Sequence, residues 1–171
     1  MKSLIELVEV NQQDLPEIYC DMDEVLVAFR EGADKAAGGS WIDMEKDLRW
    51  DKINQTKNFW AMLNWMPGAK KLYQFIAKYN THILSAYTSK DPTSRNGKMK
   101  WLDKNTKIKR ANIHLVLRAQ KQSYAKTGNK PNVLIDDYDK NIKEWEAKGG
   151  IGIHHTSVNK TLGNLKKLGY K

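Results

Sequence analysis

The chain has 171 residues, a formal net charge of +9, 40% hydrophobic residues and one cysteine. This length favours one domain with a real core, and the lone Cys20 excludes an intrachain disulfide or a cysteine-based zinc site. No apolar run approaches the roughly 20 residues that span a bilayer, and no signal-peptide block opens the chain. A soluble cytoplasmic protein without a membrane partner is expected, and its charge suits an anionic ligand, either a phosphorylated small molecule or a nucleic acid backbone.

In chain order, "LIELVEV" at 4–10 alternates apolar and polar residues and predicts a short edge strand. "EIYCD" at 17–21 reads as a buried strand. A helical pattern runs from Val25 to about Ala37, where "GGS" stops it. Residues 41–66, rich in tryptophan and charge, predict short helices with aromatic faces. Pro67 and Gly68 open an amphipathic helix with Leu72, Phe75, Ile76 and Tyr79 on one face. "THILSA" at 81–86 is a second strand and "RNGKMKWLDKNT" a helix. "NIHLVLR" at 112–118 is a third strand, followed by the polar loop "QKQSYAKTGNKP". "NVLIDDYDKNIKEWEAKG" gives a fourth strand, a turn and a helix. "GIGIHH" at 150–155 is a fifth strand, and "SVNKTLGNLKKLG" closes as a helix. Strands alternating with helices predict an α/β fold with a parallel sheet covered on both faces. In such sheets ligands bind at the carboxyl ends of the strands.

Chemistry gathers at those ends. Asp21 and Asp23 follow the first strand, Ser85 ends the second, and Asp136 and Asp137 end the fourth. Either acidic segment alone could be a helix cap. Four acids at one rim repel one another unless a cation neutralises them, and oxygen-only ligands favour a hard ion, Mg2+ first. Lys121, just past the third strand, can join Ser85 and the metal in holding a phosphate dianion.

The ordered set "DMDEV", "ILSA", the lysine of "LVLRAQK" and "VLIDD" resembles the haloacid dehalogenase (HAD) superfamily of aspartate-nucleophile phosphatases. More narrowly, "DMDEVLVAF", "KNFWAMLNWMPGAKKL" and "VLIDD" are similar to the 5'(3')-deoxyribonucleotidase family, which removes phosphate from nucleoside monophosphates. The resemblance implies a three-layer Rossmann-like sheet in one domain. Its core would be 15–29 and 67–171, with a small helical cap at about 30–66. It also implies that Asp21 is the nucleophile and Asp23 the general acid and base. Ser85, Ala86 and Lys121 would bind phosphate. Asp21, Asp23 through its main-chain carbonyl, and Asp136 or Asp137 would hold Mg2+. Phe29 and Trp60 would meet the nucleobase, with Trp41, Trp50 or Tyr87 nearby.

The chain departs from the family pattern at three places. Glu24 stands where glycine is usual. Ala86 replaces a hydroxyl residue. The arginine expected two residues before Lys121 is absent, although Arg118 lies one place earlier. Three readings follow: a nucleoside monophosphatase, a phosphatase acting on polynucleotide ends or another small ester, and a basic binding module without turnover. Nucleic acid is admitted as a partner by the charge, and a homodimer is left open.

Overall fold

The computed structural model describes residues 14–171, so the strand expected at 4–10 lies outside the described residues. The chain runs through β1 (Ile18–Cys20), α1 (Phe29–Ala37), α2 (Lys46–Asn54), α3 (Ala69–Ile76), β2 (Thr81–Ala86), α4 (Ser94–Asn105) and β3 (Ile113–Val116). It continues through β4 (Lys126–Thr127), β5 (Lys130–Pro131), β6 (Val133–Asp136), α5 (Asp139–Ala147), β7 (Ile151–His154) and α6 (Val158–Lys167). Five strands form one parallel sheet in the order β3-β2-β1-β6-β7, while β4 and β5 make a separate hairpin. No helix among the described residues is long and apolar enough to cross a membrane.

The strands are short apolar runs because both faces of the sheet are covered. Alternate residues serve alternate faces. Ile18, Cys20, Ile83, Val133, Ile135 and Ile153 pack with Leu72 and Ile76 of α3, Trp101 and Leu102 of α4, and Leu162 and Leu165 of α6. On the other face Tyr19, Leu84 and Leu134 pack with Ile142 and Trp145 of α5. Towards the β3 edge of this face, Tyr19 stacks on His82 at 4.5 Å, and His82 Nδ1 lies 3.0 Å from His114 Nε2. Glu17 Oε2 stands 3.6 Å from His82 Nε2.

Two expectations are corrected. The helix read from Val25 begins at Phe29, because the Met22 carbonyl collects the N–H groups of Val25, Leu26 and Val27 in a single turn. Val27 then bridges to Trp65, Met66 N–H donates to the Leu26 carbonyl at 2.8 Å, and Ala28 N–H donates to the Asn64 carbonyl at 2.9 Å. Tertiary pairing thus takes backbone groups that a longer helix would have used. The polar stretch after β3 is also more ordered than a loop: residues Arg118–Tyr124 form a 3-10 helix, followed by the β4–β5 hairpin.

Segments 26–28 and 64–66 form a two-stranded neck, and the chain between them makes its own aromatic cluster. Ala33, Trp41, Ile53, Phe59 and Trp60 are buried there, with Phe29, Trp50 and Leu63 packed against them. The cluster rests on the core through Trp60. Its indole N–H donates to the buried Asp91 at 2.6 Å. Gly97 of α4 lies so close that a Cβ there would stand 2.6 Å from Trp60 Cβ, so only glycine admits this approach.

Candidate active site

β1 and β6 are neighbours in register, Cys20 beside Ile135, so the residues that follow them emerge together. Asp21 N–H still donates to the Ile135 carbonyl at 2.9 Å. The Met22 turn then carries the chain off the sheet plane. Asp21 and Asp23, two apart, therefore escape the shared orientation that a continuing strand would impose.

Asp21, Asp136 and Asp137 each present a carboxylate oxygen within 4.8 Å of the others. Lys121, 3% exposed, comes from the 3-10 helix after β3 and sits between two of them, 3.0 Å from Asp21 Oδ1 and 2.7 Å from Asp136 Oδ2. Burial works against its charge, but the Asp21 and Asp136 carboxylates prevail and raise its pKa. Asp136 is completely buried and its pKa is raised by burial and by Asp21, with Lys121 opposing. It accepts from Tyr138 N–H at 2.9 Å and from the Asn141 amide at 3.0 Å. Asp137 is pushed up to about 7 by burial and by the Asp21 and Asp136 carboxylates. Such mutual repulsion among oxygen ligands is the state a divalent cation relieves, so these residues fit the Mg2+ expected from the sequence.

A second buried lysine completes the site, and sequence reasoning missed it. Lys98 of α4, 2% exposed, donates to Asp23 Oδ2 at 2.7 Å, Ser85 Oγ at 3.0 Å and the Ala86 carbonyl at 2.7 Å. Its ammonium also lies 5.2 Å from the centre of the Trp60 ring. The signal was present: Ser94, Lys98, Trp101 and Leu102 recur at helical spacing and form the buried face of α4. A lysine on such a face needs an anionic or carbonyl partner.

Lys98 divides the Asp23 carboxylate into two unlike oxygens. Oδ2 accepts from the ammonium, whereas Oδ1 is buried and has no hydrogen-bond partner. Burial raises the pKa of Asp23, and Asp21 adds to the rise against Lys98. The side chain of Asp23 stands outside the Asp21–Asp136–Asp137 group. Ser85 is fully buried, and with its oxygen accepting from Lys98 its hydroxyl hydrogen is left to donate.

The residues expected to contact the base lie beside the site, in the aromatic cluster and at the rim. Phe29 and Trp60 stack on each other, centroids 5.3 Å apart and planes 16° from parallel. Phe29 also meets Trp41 and Phe59 edge-on, and Trp41 meets Trp50 in the same way at 5.1 Å. Tyr87 follows Ala86 at the rim, with the Arg95 guanidinium 5.6 Å from its ring.

Glu24 has φ of 60°, in the left-handed region that favours glycine, which is why glycine is the usual occupant. Here the side chain has work of its own. Its carboxylate accepts from Arg30 N–H at 2.5 Å, satisfying a first-turn donor of α1 that the N-cap residue Ala28 cannot.

No protein-family model matches the chain. It is 29% identical over 136 residues to a Vibrio phage KVP40 protein named "Putative 5'(3')-deoxyribonucleotidase", covering 79% of this chain and 74% of that one. Among solved structures, a hydrolase from Streptococcus pneumoniae TIGR4 superposes with a TM-score of 0.55 at 12% identity, covering 89% of this chain and 98% of the other. A HAD family enzyme from Bacteroides thetaiotaomicron, in complex with magnesium and inorganic phosphate, reaches a TM-score of 0.45 at 12% identity over 81% of this chain and 93% of that one. The TM-score of 0.45 is too low to argue a shared fold. The chain is thus similar in sequence to the phage protein and in fold to the streptococcal hydrolase, and it carries a carboxylate–lysine cluster at the carboxyl edge of its parallel sheet.

Proposed function

We propose that the protein is a Mg2+-dependent phosphatase of nucleoside monophosphates that works through an aspartyl-phosphate. The observation that carries this reading is the asymmetry of two adjacent carboxylates. Asp21 is paired with Lys121 inside a three-carboxylate cluster, while Asp23 keeps a buried, unpartnered oxygen outside it. One suits a nucleophile and the other a proton shuttle.

Asp21 attacks phosphorus in line, forming a P–O bond to its carboxylate as the ester P–O bond breaks. In this reading Asp23 enters the reaction protonated and delivers that proton to the leaving alkoxide through Oδ1, the oxygen that Lys98 does not hold. It then takes a proton from the water that attacks the aspartyl-phosphate, releasing inorganic phosphate and restoring Asp21. Lys121 offsets the repulsion between Asp21 and the incoming dianion, and Ser85 donates its hydroxyl to a phosphate oxygen. The Lys98 ammonium holds Asp23 in place through both steps. Asp21, Asp136 and Asp137, with the main-chain carbonyl of Asp23, are the residues for Mg2+. The ion would supply charge neutralisation for the phosphoryl oxygens. The mononucleotide substrate is supported by the similarity to the phage protein.

Release of inorganic phosphate from a panel of nucleoside monophosphates, with Mg2+ and with chelator, tests the proposal. The unaltered protein should turn over in Mg2+ alone, and Asp21→Asn should reduce turnover to background. Absence of release from every ester, or undiminished turnover by Asp21→Asn, would sink it. The net charge of +9 favours one alternative, a polynucleotide end as substrate. Phosphate release from an end-phosphorylated oligonucleotide exceeding that from the mononucleotide would favour it.

A further inference from the structure

Asp136 is held by more than its neighbours in the site. Its Oδ2 accepts from Asn141 Nδ2 at 3.0 Å as well as from Lys121. Asn141 is 6% exposed and lies in the first turn of α5, where its N–H donates to the Tyr138 carbonyl at 2.9 Å. On its far side the Asn141 Oδ1 accepts from Arg118 Nη1 at 3.1 Å. Arg118 is in turn gripped by both oxygens of Glu144, at 2.8 and 3.3 Å. Asn141 and Glu144 are three apart on α5 and so share a face.

This chain of contacts has only one self-consistent direction. A carboxylate can only accept and a guanidinium can only donate. The Asn141 amide must therefore turn its oxygen to Arg118 and its NH2 to Asp136. The reverse orientation would face oxygen against carboxylate and NH2 against guanidinium, breaking at once the buried hydrogen bond to Asp136 and the part-buried one to Arg118. The Arg118–Glu144 fork is anchored on α5 itself, so it orients the amide without depending on the site.

We infer that Asn141 is a positioning residue for the Asp136 carboxylate, and that Arg118 acts through it by fixing the orientation of its amide. The inference rests on the function proposed above, in which Asp136 belongs to the Mg2+ site. With Asn141 in place, three donors from three directions fix both carboxylate oxygens. Without it, Oδ2 is held only by Lys121, whose other partner is Asp21. The carboxylate can then rotate, and Lys121 can shift toward the nucleophile. Arg118 is the arginine that the sequence places one position earlier than the family pattern. Its contacts are to α5 rather than to the rim.

Asn141→Leu keeps the size and removes the donor. Groups that hold a metal ligand in place typically affect metal affinity by about 10- to 100-fold when lost. Calorimetric titration with Mg2+ alone, without substrate, should show that weakening for Asn141→Leu and a smaller loss for Arg118→Met. The double variant should bind no more weakly than Asn141→Leu, because Arg118 has no separate route to Asp136. Asn141→Ser keeps a hydroxyl donor and a smaller volume, and should fall between the parent and the leucine variant. It also provides a folded comparison if leucine proves too disruptive, with folding checked by circular dichroism.

A merely structural role would lower the melting temperature and leave the Mg2+ affinity of the folded protein unmoved. Folded Asn141 variants binding Mg2+ within twofold of the parent would therefore overturn the inference while leaving the proposed function intact. A further loss on adding Arg118→Met to Asn141→Leu would overturn the part assigned to Arg118. Failure of the unaltered protein to bind Mg2+ would overturn the function reading, and the inference with it.

Discussion

Glu24 joins two costs that normally appear apart. A non-glycine residue in the left-handed region costs roughly 1–2 kcal/mol, and a lost helix cap costs about 0.5–2 kcal/mol. Glu24 bears the first and avoids the second by accepting from Arg30. Glu24→Ala keeps the strain and loses the cap, so it should be the least stable form. Glu24→Gly loses the cap but sheds the strain, and should lie about 1 kcal/mol above the alanine variant in urea unfolding. Equal stability of the two variants would show that the left-handed turn carries no strain. Lys98 illustrates the limit of reading residues singly. Within "NGKMKW" it looks like one more solvated lysine, and only its register with Ser94, Trp101 and Leu102 gives it away. Asp21, Asp136 and Asp137 were legible because each directly ends or follows an apolar strand run, and Lys121 because it comes soon after another. Lys98 arrives from the middle of a helix, with no strand end to mark it.

At the scale of elements, β2 appears just as "THILSA" suggests, since a continuous apolar run bounded by turn residues has few alternatives. The start of α1 was misread because its signal overlaps the neck, where pairing with Trp65 and Met66 outweighs local helical preference. The neighbouring pair β2 and β3 also carries a pH dependence. Burial lowers the pKa of His82, with Glu17 opposing, and burial together with His82 lowers that of His114. Their shared hydrogen bond needs one of the two facing ring nitrogens to be unprotonated, so the two rings cannot both be charged while it stands. An unfolded imidazole, with a pKa of about 6.5, takes a proton first. The stabilisation is therefore complete above about pH 6.5 and is lost as pH falls through the lower folded values. Asp137, raised to about 7, acts oppositely in the same range, since its protonated form is favoured in the fold. Comparing His114→Gln with the parent separates the two effects. The parent should lose stability relative to the variant between pH 7 and 5 in urea unfolding, and parallel curves would exclude the histidine pair.

For the whole molecule, the carboxyl edge of the sheet stores repulsion that the rest of the fold must bear. Three carboxylates crowd there, only Asp21 and Asp136 are paired with Lys121, and burial raises the pKa of Asp136 and Asp137. Mg2+ that binds only the folded form stabilises by mass action, about 2.7 kcal/mol at a hundredfold excess over its dissociation constant. For a chain of this size that corresponds to a rise in Tm of roughly 5–10 °C. Chelator should abolish the rise, and Asp137→Asn should shrink it. An unchanged melting curve across millimolar Mg2+ would exclude the cluster as a metal site.

The neck bears on how such a protein changes over time. Ala28 and Asn64 stand one hydrogen bond apart, although 35 residues separate them in sequence. The segment between them begins and ends at nearly the same point in space, and it gathers its own apolar cluster. Its length is therefore almost free of constraint from the sheet, whose strands pair in register without it. The junction has the geometry of a socket: a segment shortened, enlarged or exchanged there should leave Asp21, Asp136 and Lys121 in place, as phosphate release and folding of such a variant would show. What ties the present insert down is a short list of outside contacts, chiefly Trp60 to Asp91 and Gly97, and Asn54 to the Lys90 carbonyl. Those are the positions at which a transplanted insert would have to be refitted.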